Sequence, residues 1–291
     1  MKISDRLRVN RPLFSFEFFP PKTEDGARKL LEVLEDLRPL EPDFVSVTWG
    51  AGGSTQTRTI EITERIKREL GIEAMAHFTC VGAHREQIRA TLDEIARAGI
   101  ENVLLLRGDA PSGRPFEPAS DGFAHASELI EFVRSLGHGF AIGGACYPEG
   151  HPEAPSLDAD LTNLVTKVSK GVDFLITQLF FDNRFYFRFV DRARDVGVRV
   201  PIIPGLMPIT NVEQIERFTK RCGATIPPQL VDELSKRRAD PERVHEIGVI
   251  HATIQSLGLL QGGAPGIHFF TLNRSAATRD ILTAMRMNAR L

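Results

Sequence analysis

A single carboxylate, Glu17, interrupts the phenylalanines of LFSFEFFPPKTED, residues Leu13 to Asp25. Side chains alternate along a strand, so Ser15, Glu17 and Phe19 would share one face of a strand formed by this segment. A glutamate at the end of such a strand, beside aromatic rings, would be poorly solvated, which raises its pKa. Glu17 is therefore a candidate proton donor at neutral pH. The alternative is an ion pair between Glu17 and an Arg or Lys across the protein interior.

Polar segments also follow the other predicted strands. TWGAGGST follows the second, HFTC ends the third, RGD follows the fourth, CYPEGHPEA follows the fifth, TQLFFD ends the sixth and TLNR follows the last. Each segment taken alone could be a helix cap or an exposed turn. In a parallel barrel, however, the carboxyl ends of all strands meet at one mouth, where such barrels hold their chemistry. The shared position of these segments indicates a functional site.

Motifs for several common chemistries are absent from the sequence. It contains no HExxH or CxxC segment, no GxSxG and no P-loop lysine motif. We therefore expect no dedicated metal site. A polar mouth without a metal motif or an obvious nucleophile favours an organic cofactor that carries the difficult chemistry.

The elements that must position these residues recur at a regular interval. Short apolar, β-branched or aromatic segments, each followed by helical periodicity, begin near Phe14, Phe44, Glu73, Asn102, Phe140, Phe174, Ile202 and Gly266. This pattern predicts an α/β fold, a (β/α)8 TIM barrel. Additional helices are expected before the last strand, at 211–222, 227–236 and 240–257. An open, doubly wound sheet is the alternative that periodicity alone leaves open.

Composition predicts a single domain over residues 1–291. The chain is 42% hydrophobic and 25% charged, with a net charge of -2 and three widely spaced cysteines. A charge this small gives no general attraction to nucleic acid or to an anionic membrane, so small molecules are the expected partners. The start of the sequence has no apolar segment typical of secretion, so we expect a cytoplasmic protein. Apolar residues on the barrel helices favour a homo-oligomer.

Nine segments, taken in order, resemble 5,10-methylenetetrahydrofolate reductase of the bacterial, FAD-dependent type. They are FSFEFFPPKTEDG, VTWGAGGSTQTRT, AHFTCVG, LLLRGDAP, ACYPEGHPEA, DLTNLVTKV, ITQLFFD, PGLMPITN and HFFTLNR. The resemblance implies a (β/α)8 barrel with FAD at its C-terminal mouth. It also implies a ping-pong reaction, in which NADH or NADPH gives hydride to the flavin and leaves. The folate then binds in the same place and is reduced to 5-methyltetrahydrofolate.

The resemblance also implies roles for individual residues. Glu17 matches the general acid that assists opening of the folate ring to an iminium, and Asp109 matches an aspartate whose charge stabilises that cation. The implied cofactor contacts are Thr48, Trp49, Ala51, His77, Arg107, Gly108, Asp109, Ala126, Tyr147, His151, Ala154, Asp160, Asn163, Thr166 and Lys167. Thr48, from this set, and Gln178 both match residues near the nicotinamide and the pterin. The implied folate contacts are Gln178, Gln214, Phe218 and Arg274.

Two other functions are compatible with a flavin barrel. A proline-dehydrogenase-like enzyme would oxidise proline and would need no general acid at Glu17. A flavin- or folate-binding subunit would receive electrons from a partner protein, so NADH and NADPH would not reduce the purified chain.

Overall fold

The computed structural model describes residues 1–49, 56–110 and 116–288. These residues form a nine-stranded parallel sheet with the order β7-β6-β5-β4-β3-β2-β1-β9-β8. The strands are β1 (Leu13–Phe18), β2 (Phe44–Val47), β3 (Ala74–Thr79), β4 (Asn102–Leu106), β5 (Ala141–Cys146), β6 (Phe174–Thr177), β7 (Ile202–Ile203), β8 (Gly205–Leu206) and β9 (Gly266–Phe270). The predicted TIM barrel is confirmed, because β1 pairs both with β2 and with the last strand, β9.

The seventh predicted strand is divided at Pro204. A proline has no N–H to donate to a strand ladder, so the segment is interrupted there. On one side of the proline β7 pairs with β6, and on the other side β8 pairs with β9. The carbonyl of Pro204 still accepts the His268 N–H at 2.9 Å. The ring of strands is therefore nearly closed, with its only gap in the described sheet at this proline.

Helices cover the outside of the sheet. They are α1 (Ile3–Arg6), α2 (Glu24–Leu37), α3 (Gln56–Arg65), α4 (Arg85–Arg97), α5 (Ala126–Leu136), α6 (Leu157–Ser169), α7 (Asn183–Asp195), α8 (Val212–Cys222), α9 (Pro228–Lys236), α10 (Pro241–Gln261) and α11 (Ala276–Asn288). The three helices expected before the last strand are present as α8, α9 and α10. In the described part of the chain, no helix is both long and apolar enough to span a membrane.

Local sequence explains where α6 and α8, which carry predicted site residues, begin. The Asn211 side chain accepts the Gln214 N–H at 2.7 Å at the start of α8, and the Ser156 hydroxyl accepts the Ala159 N–H at 3.1 Å at the start of α6. Such caps satisfy N–H groups that the helix itself leaves unpaired. They fix the first turn of each helix, and with it the direction of the side chains that follow.

The lower half of the barrel interior is apolar. One buried cluster consists of Ile3, Leu13, Phe44, Met75, Leu104, Phe174, Ile176 and Ile203. Most of these side chains come from the amino-terminal ends of strands, and Ile3 of α1 closes the barrel from below. Apart from Asn102, whose side chain accepts the Ile3 N–H at 2.8 Å at the bottom, the inward-facing polar residues of the candidate site lie in the upper half, toward the carboxyl ends of the strands.

A buried ion pair attaches the N-terminal segment to the bottom of the barrel. Asp43 accepts the Arg6 Nε–H at 2.5 Å and the backbone N–H of Phe14 at 2.8 Å. The two side chains are only 6% and 4% exposed. Removal of one partner would leave the other charge buried without compensation, which is costly.

We therefore expect Asp43→Ala to lower the free energy of unfolding by about 3 to 5 kcal/mol. The measurement is chemical denaturation followed by circular dichroism. The matched control is Asp232→Ala, which removes an exposed carboxylate paired with Lys236 on α9 and should leave the midpoint unchanged. Equal effects of the two substitutions would show that the buried pair does not hold the segment.

Candidate active site

Glu17 lies at the centre of a small polar cluster inside the upper barrel. Its Oε2 atom is 3.3 Å from Nε2 of His268 and 3.4 Å from Nε2 of His77. His268 also shares a 2.8 Å hydrogen bond between its Nδ1 and the Ser15 hydroxyl. These residues come from β1, β3 and β9, so the closed barrel is what brings them together. The alternative, in which an Arg or Lys pairs with Glu17, is wrong for the described residues.

The expected rise in the pKa of Glu17 is wrong. Burial by itself raises the pKa of this carboxyl. The neighbouring imidazoles of His77 and His268, the latter through a hydrogen bond, outweigh that effect, so the pKa of Glu17 lies below its ordinary value. The burial of Glu17 follows from the sequence pattern, whereas its contacts with the two histidines do not.

His77 is held in its neutral form. Burial lowers the pKa of His77 to about 4, against the opposing charge of Glu17. The His77 Nε2 atom and the Ser46 hydroxyl are buried and have no hydrogen-bond partner among the described residues. Because an unpaired buried polar group costs free energy, these two atoms are available to a bound ligand or water.

Two cations, Arg107 and Lys167, lie near the carboxyl ends of β4 and β5. The Arg107 guanidinium donates to both carboxylate oxygens of Glu153, at 2.7 and 2.9 Å, and stacks 4.4 Å from the ring centre of Phe116. The Lys167 ammonium donates to the Ala145 carbonyl at 2.7 Å. Burial lowers the pKa of Lys167, while the nearby Asp160 carboxylate opposes this shift. Both cations could bind an anionic part of a cofactor.

The turn after β5 is compact and partly aromatic. The ring of Tyr147 packs edge-on against the ring of His151, with 4.6 Å between centroids. The His151 backbone N–H donates to Asp160 at 3.1 Å, and the Ala154 N–H donates to the His151 carbonyl at 2.9 Å. Four predicted cofactor contacts therefore lie together beside Lys167.

Gly108 allows the chain to present Asp109 at the mouth. Its φ of +90° is in the left-handed region, and an added Cβ would lie 2.7 Å from a methyl group of Val81. Only glycine fits this position without strain. The following residue, Asp109, is 77% exposed and accepts a 2.7 Å bond from Arg221 at the end of α8. Two predicted folate contacts, Gln214 and Phe218, lie half-buried on the same helix.

Three further predicted contacts lie at other strand ends. The Thr48 N–H donates to the Phe18 carbonyl at 2.8 Å, which fixes the end of β2 beside β1. The side chain of Trp49 is buried, with its ring 5.0 Å from that of Phe78. Gln178 follows β6 and its backbone N–H donates to the Cys146 carbonyl at 2.7 Å.

The remaining predicted residues are less closely grouped. Ala126 is the first residue of α5, Asn163 and Thr166 lie on the exposed side of α6, and Arg274 is exposed after β9. Ala51 lies outside the described residues.

Sequence reasoning missed His268, Glu153 and Arg221. For His268 a signal existed, since alternation along HFF places it on the same face as Phe270. No sequence signal pairs Arg221 with Asp109, because the two are far apart in the chain.

Comparison with known proteins gives consistent results. The family model described as methylenetetrahydrofolate reductase matches residues 2–286. A 5,10-methylenetetrahydrofolate reductase of Pectobacterium carotovorum is 38% identical over 90% of this chain and 86% of its own length. Methylenetetrahydrofolate reductase (NADH) 1 of Arabidopsis thaliana is 38% identical over 97% of this chain. A probable NADPH form from Caenorhabditis elegans is 36% identical over 98%. The chain spans 50% and 44% of those two proteins.

Solved structures with lower identity agree on the fold. A Clostridium thermocellum protein whose structure binds two copies of 5-methyl-5,6,7,8-tetrahydrofolic acid has a TM-score of 0.68, with 16% identity and 99% coverage of both chains. A dihydropteroate synthase from Xanthomonas albilineans has a TM-score of 0.52, with 16% identity and coverage of 96% and 93%. At these identities the likeness concerns the barrel alone.

The neutral state of His77 leads to a prediction about stability and pH. The unfolded chain binds a proton at this histidine near pH 6.5, whereas the folded chain binds it only near pH 4. The stability from His77 is therefore present above pH 6.5 and is lost as the pH falls toward 4. Between pH 7 and pH 5 the wild type should lose about 2 kcal/mol of unfolding free energy from this group.

His77→Gln removes this contribution, so its urea midpoint should change less than that of the wild type between pH 7 and pH 5. The matched control is His125→Gln, which replaces an exposed histidine and should keep the pH dependence of the wild type. If the two variants and the wild type show the same dependence, His77 is not buried in its neutral form.

Proposed function

This chain belongs to the methylenetetrahydrofolate reductase family, and we propose that it reduces 5,10-methylenetetrahydrofolate to 5-methyltetrahydrofolate with FAD as cofactor and NADH or NADPH as hydride donor. The observation that carries this proposal is the position of Glu17. It is a carboxylate inside the upper barrel, in contact with two histidines and at the end where barrels bind their substrates.

The residues around the mouth fit a flavin dinucleotide. Arg107 and Lys167 supply two cations for an anionic group, while Trp49 and Tyr147 supply aromatic surface. The unpaired Nε2 atom of His77 can form a hydrogen bond with a bound group. When bound, FAD would accept hydride from the nicotinamide and pass it to the folate. Asp160, Asn163, Thr166 and Ala154 are proposed to complete this cofactor site, with Ala51, Gly108 and Ala126.

Glu17 is proposed to hold the proton that opens the folate ring. Its side chain is 15% exposed. A flat ligand over the mouth would remove the remaining water, and further burial raises the pKa of a carboxyl. His268 is within hydrogen-bond distance of Oε2, so its ring nitrogen can donate to the carboxylate or accept from the carboxylic acid, depending on its tautomer. The carboxyl would then be protonated when the substrate is in place.

Asp109 is proposed to stabilise the positive charge that develops on the folate. Its carboxylate lies at the mouth, after a left-handed backbone turn that Gly108 allows. A fixed negative charge near a developing cation lowers the barrier without rearrangement during the reaction. Thr48 and Gln178 are proposed to face the nicotinamide and the pterin in turn, and Gln214, Phe218 and Arg274 to bind the rest of the folate.

A homo-oligomer stays a prediction. It is supported by an exposed apolar stripe on α10, where the side chains of Ile250 and Ile254 are 60% and 67% exposed. Large exposed aliphatic residues one helical turn apart favour association with another surface.

The role of Glu17 can be tested by separating the two half-reactions in a stopped-flow instrument. Glu17→Gln keeps the size of the side chain but cannot donate an acidic proton. Reduction of the flavin by NADH or NADPH should be unchanged, because that step needs no proton from Glu17. Reoxidation by the folate should slow by about 100-fold or more, the usual contribution of a general acid. Equal slowing of both half-reactions would argue against this role.

Asp109→Asn tests the electrostatic role by removing the charge and retaining the shape. We expect folate reduction to slow by about 10-fold to 100-fold, since one interaction with a developing charge is lost. Flavin reduction should be affected less. Glu128→Gln, which replaces an exposed carboxylate on α5, is the control and should behave as the wild type. A folate half-reaction that is normal in Asp109→Asn would rule the role out.

A further inference from the structure

The ion pair between Asp109 and Arg221 joins two opposite sides of the mouth. Asp109 follows β4, whereas Arg221 lies at the end of α8, between β8 and β9. The guanidinium donates to the carboxylate at 2.7 Å. The side chains are 75% and 77% exposed, and an ion pair this open to water contributes little to stability. The pair can therefore open at small cost when another anion or cation arrives.

Arg221 lies on the face of α8 that points toward the proposed folate site. Residues four and seven positions apart share one side of a helix, so Gln214, Phe218 and Arg221 form a single stripe. The opposite side of this helix is packed into the protein through Val212, Ile215 and Thr219. A ligand that contacts Gln214 and Phe218 thus extends along the helix toward Arg221. Arg221 lies about 10 Å from Gln214 along the helix axis.

The positive charge of Arg221 opposes the proposed role of Asp109, which is to stabilise positive charge on the folate. An arginine is always protonated, so while it is paired with Asp109 it cancels the negative charge of that carboxylate. A cationic folate intermediate near Asp109 would also be repelled by the guanidinium. Arg221 must therefore leave Asp109 before the carboxylate can act. A second anion within its reach would make that movement favourable.

We propose that Arg221 exchanges partners when the folate binds: it leaves Asp109 and binds a carboxylate of the substrate's glutamate tail. This inference rests on the proposed function, since the tail belongs to the proposed substrate. A planar guanidinium is well suited to a carboxylate, which it can bind through two parallel hydrogen bonds. Arg221 thus recognises the substrate by its tail and, by the same movement, exposes the charge of Asp109 at the mouth.

The experiment compares two ligands that differ only in the tail. Isothermal titration gives the Kd of the purified, flavin-loaded protein for 5-methyltetrahydrofolate and for 5-methyltetrahydropteroate, which has no glutamate. The wild type should bind the first ligand about fivefold more tightly, as expected for one partly exposed charge pair. In Arg221→Gln the two Kd values should be equal. Arg221→Lys, which keeps the charge, should restore most of the preference.

Lys220→Gln is the matched control. Lys220 is the neighbouring exposed cation, but it points about 100° away from Arg221 around the helix. This variant should keep the preference of the wild type for the glutamate tail. Steady-state kinetics give a second readout, in which Arg221→Gln should raise the KM for the folate about fivefold and leave kcat and the KM for NADH or NADPH unchanged.

Three results would overturn the inference. They are a wild type with no preference for the tail, an Arg221→Gln variant that keeps the preference, and a KM change for the nicotinamide instead of the folate. The last result would assign Arg221 to a nucleotide phosphate. The binding ratio does not depend on turnover. A protein with tail-dependent binding but no folate reduction would therefore refute the proposed function and leave this inference standing.

Discussion

Burial of Glu17 is the constraint on which the rest of the site depends. A carboxylate removed from water needs partners, and here they are the imidazoles of His77 and His268. The His268 contact joins residues 251 positions apart, and it exists only because β1 pairs with the last strand. The contacts of Glu17 at the mouth therefore depend on closure of the barrel. The lower interior of the barrel is packed with apolar side chains, and the polar side chains of the candidate site lie above them.

Much of the fold follows from local patterns in the sequence. The strands begin within one residue of their predicted positions, since short apolar segments between helical repeats are a strong signal. The helices before the last strand were equally predictable. The division at Pro204 was not predicted, although a proline inside a short strand is a physical reason for it. Local signals identify strands and helices well. The division of the seventh strand into β7 and β8 depends instead on tertiary pairing, because β7 pairs with β6 and β8 pairs with β9.

The sequence predicts a set of candidate site residues but not the contacts between them. Burial of Glu17 could be inferred from its neighbours along the strand, whereas the direction of its pKa shift could not. That direction depends on the residues that β3 and β9 place beside it, His77 and His268, and the register sets Ser15 opposite His268. The same applies at the mouth, where Arg107 pairs with Glu153 and Asp109 pairs with Arg221. Arg107 and Asp109, two of the charges predicted to meet ligands, are thus each paired within the chain, and our proposal is that a ligand replaces these partners.

The most direct measurement of the central claim is an anaerobic visible absorption spectrum of the purified wild-type protein. It is recorded after addition of FAD, again after NADH or NADPH, and finally after 5,10-methylenetetrahydrofolate. The account predicts flavin bands that bleach with the nicotinamide and return with the folate. A protein that binds no FAD, or a reduced flavin that the folate does not reoxidise, would contradict it.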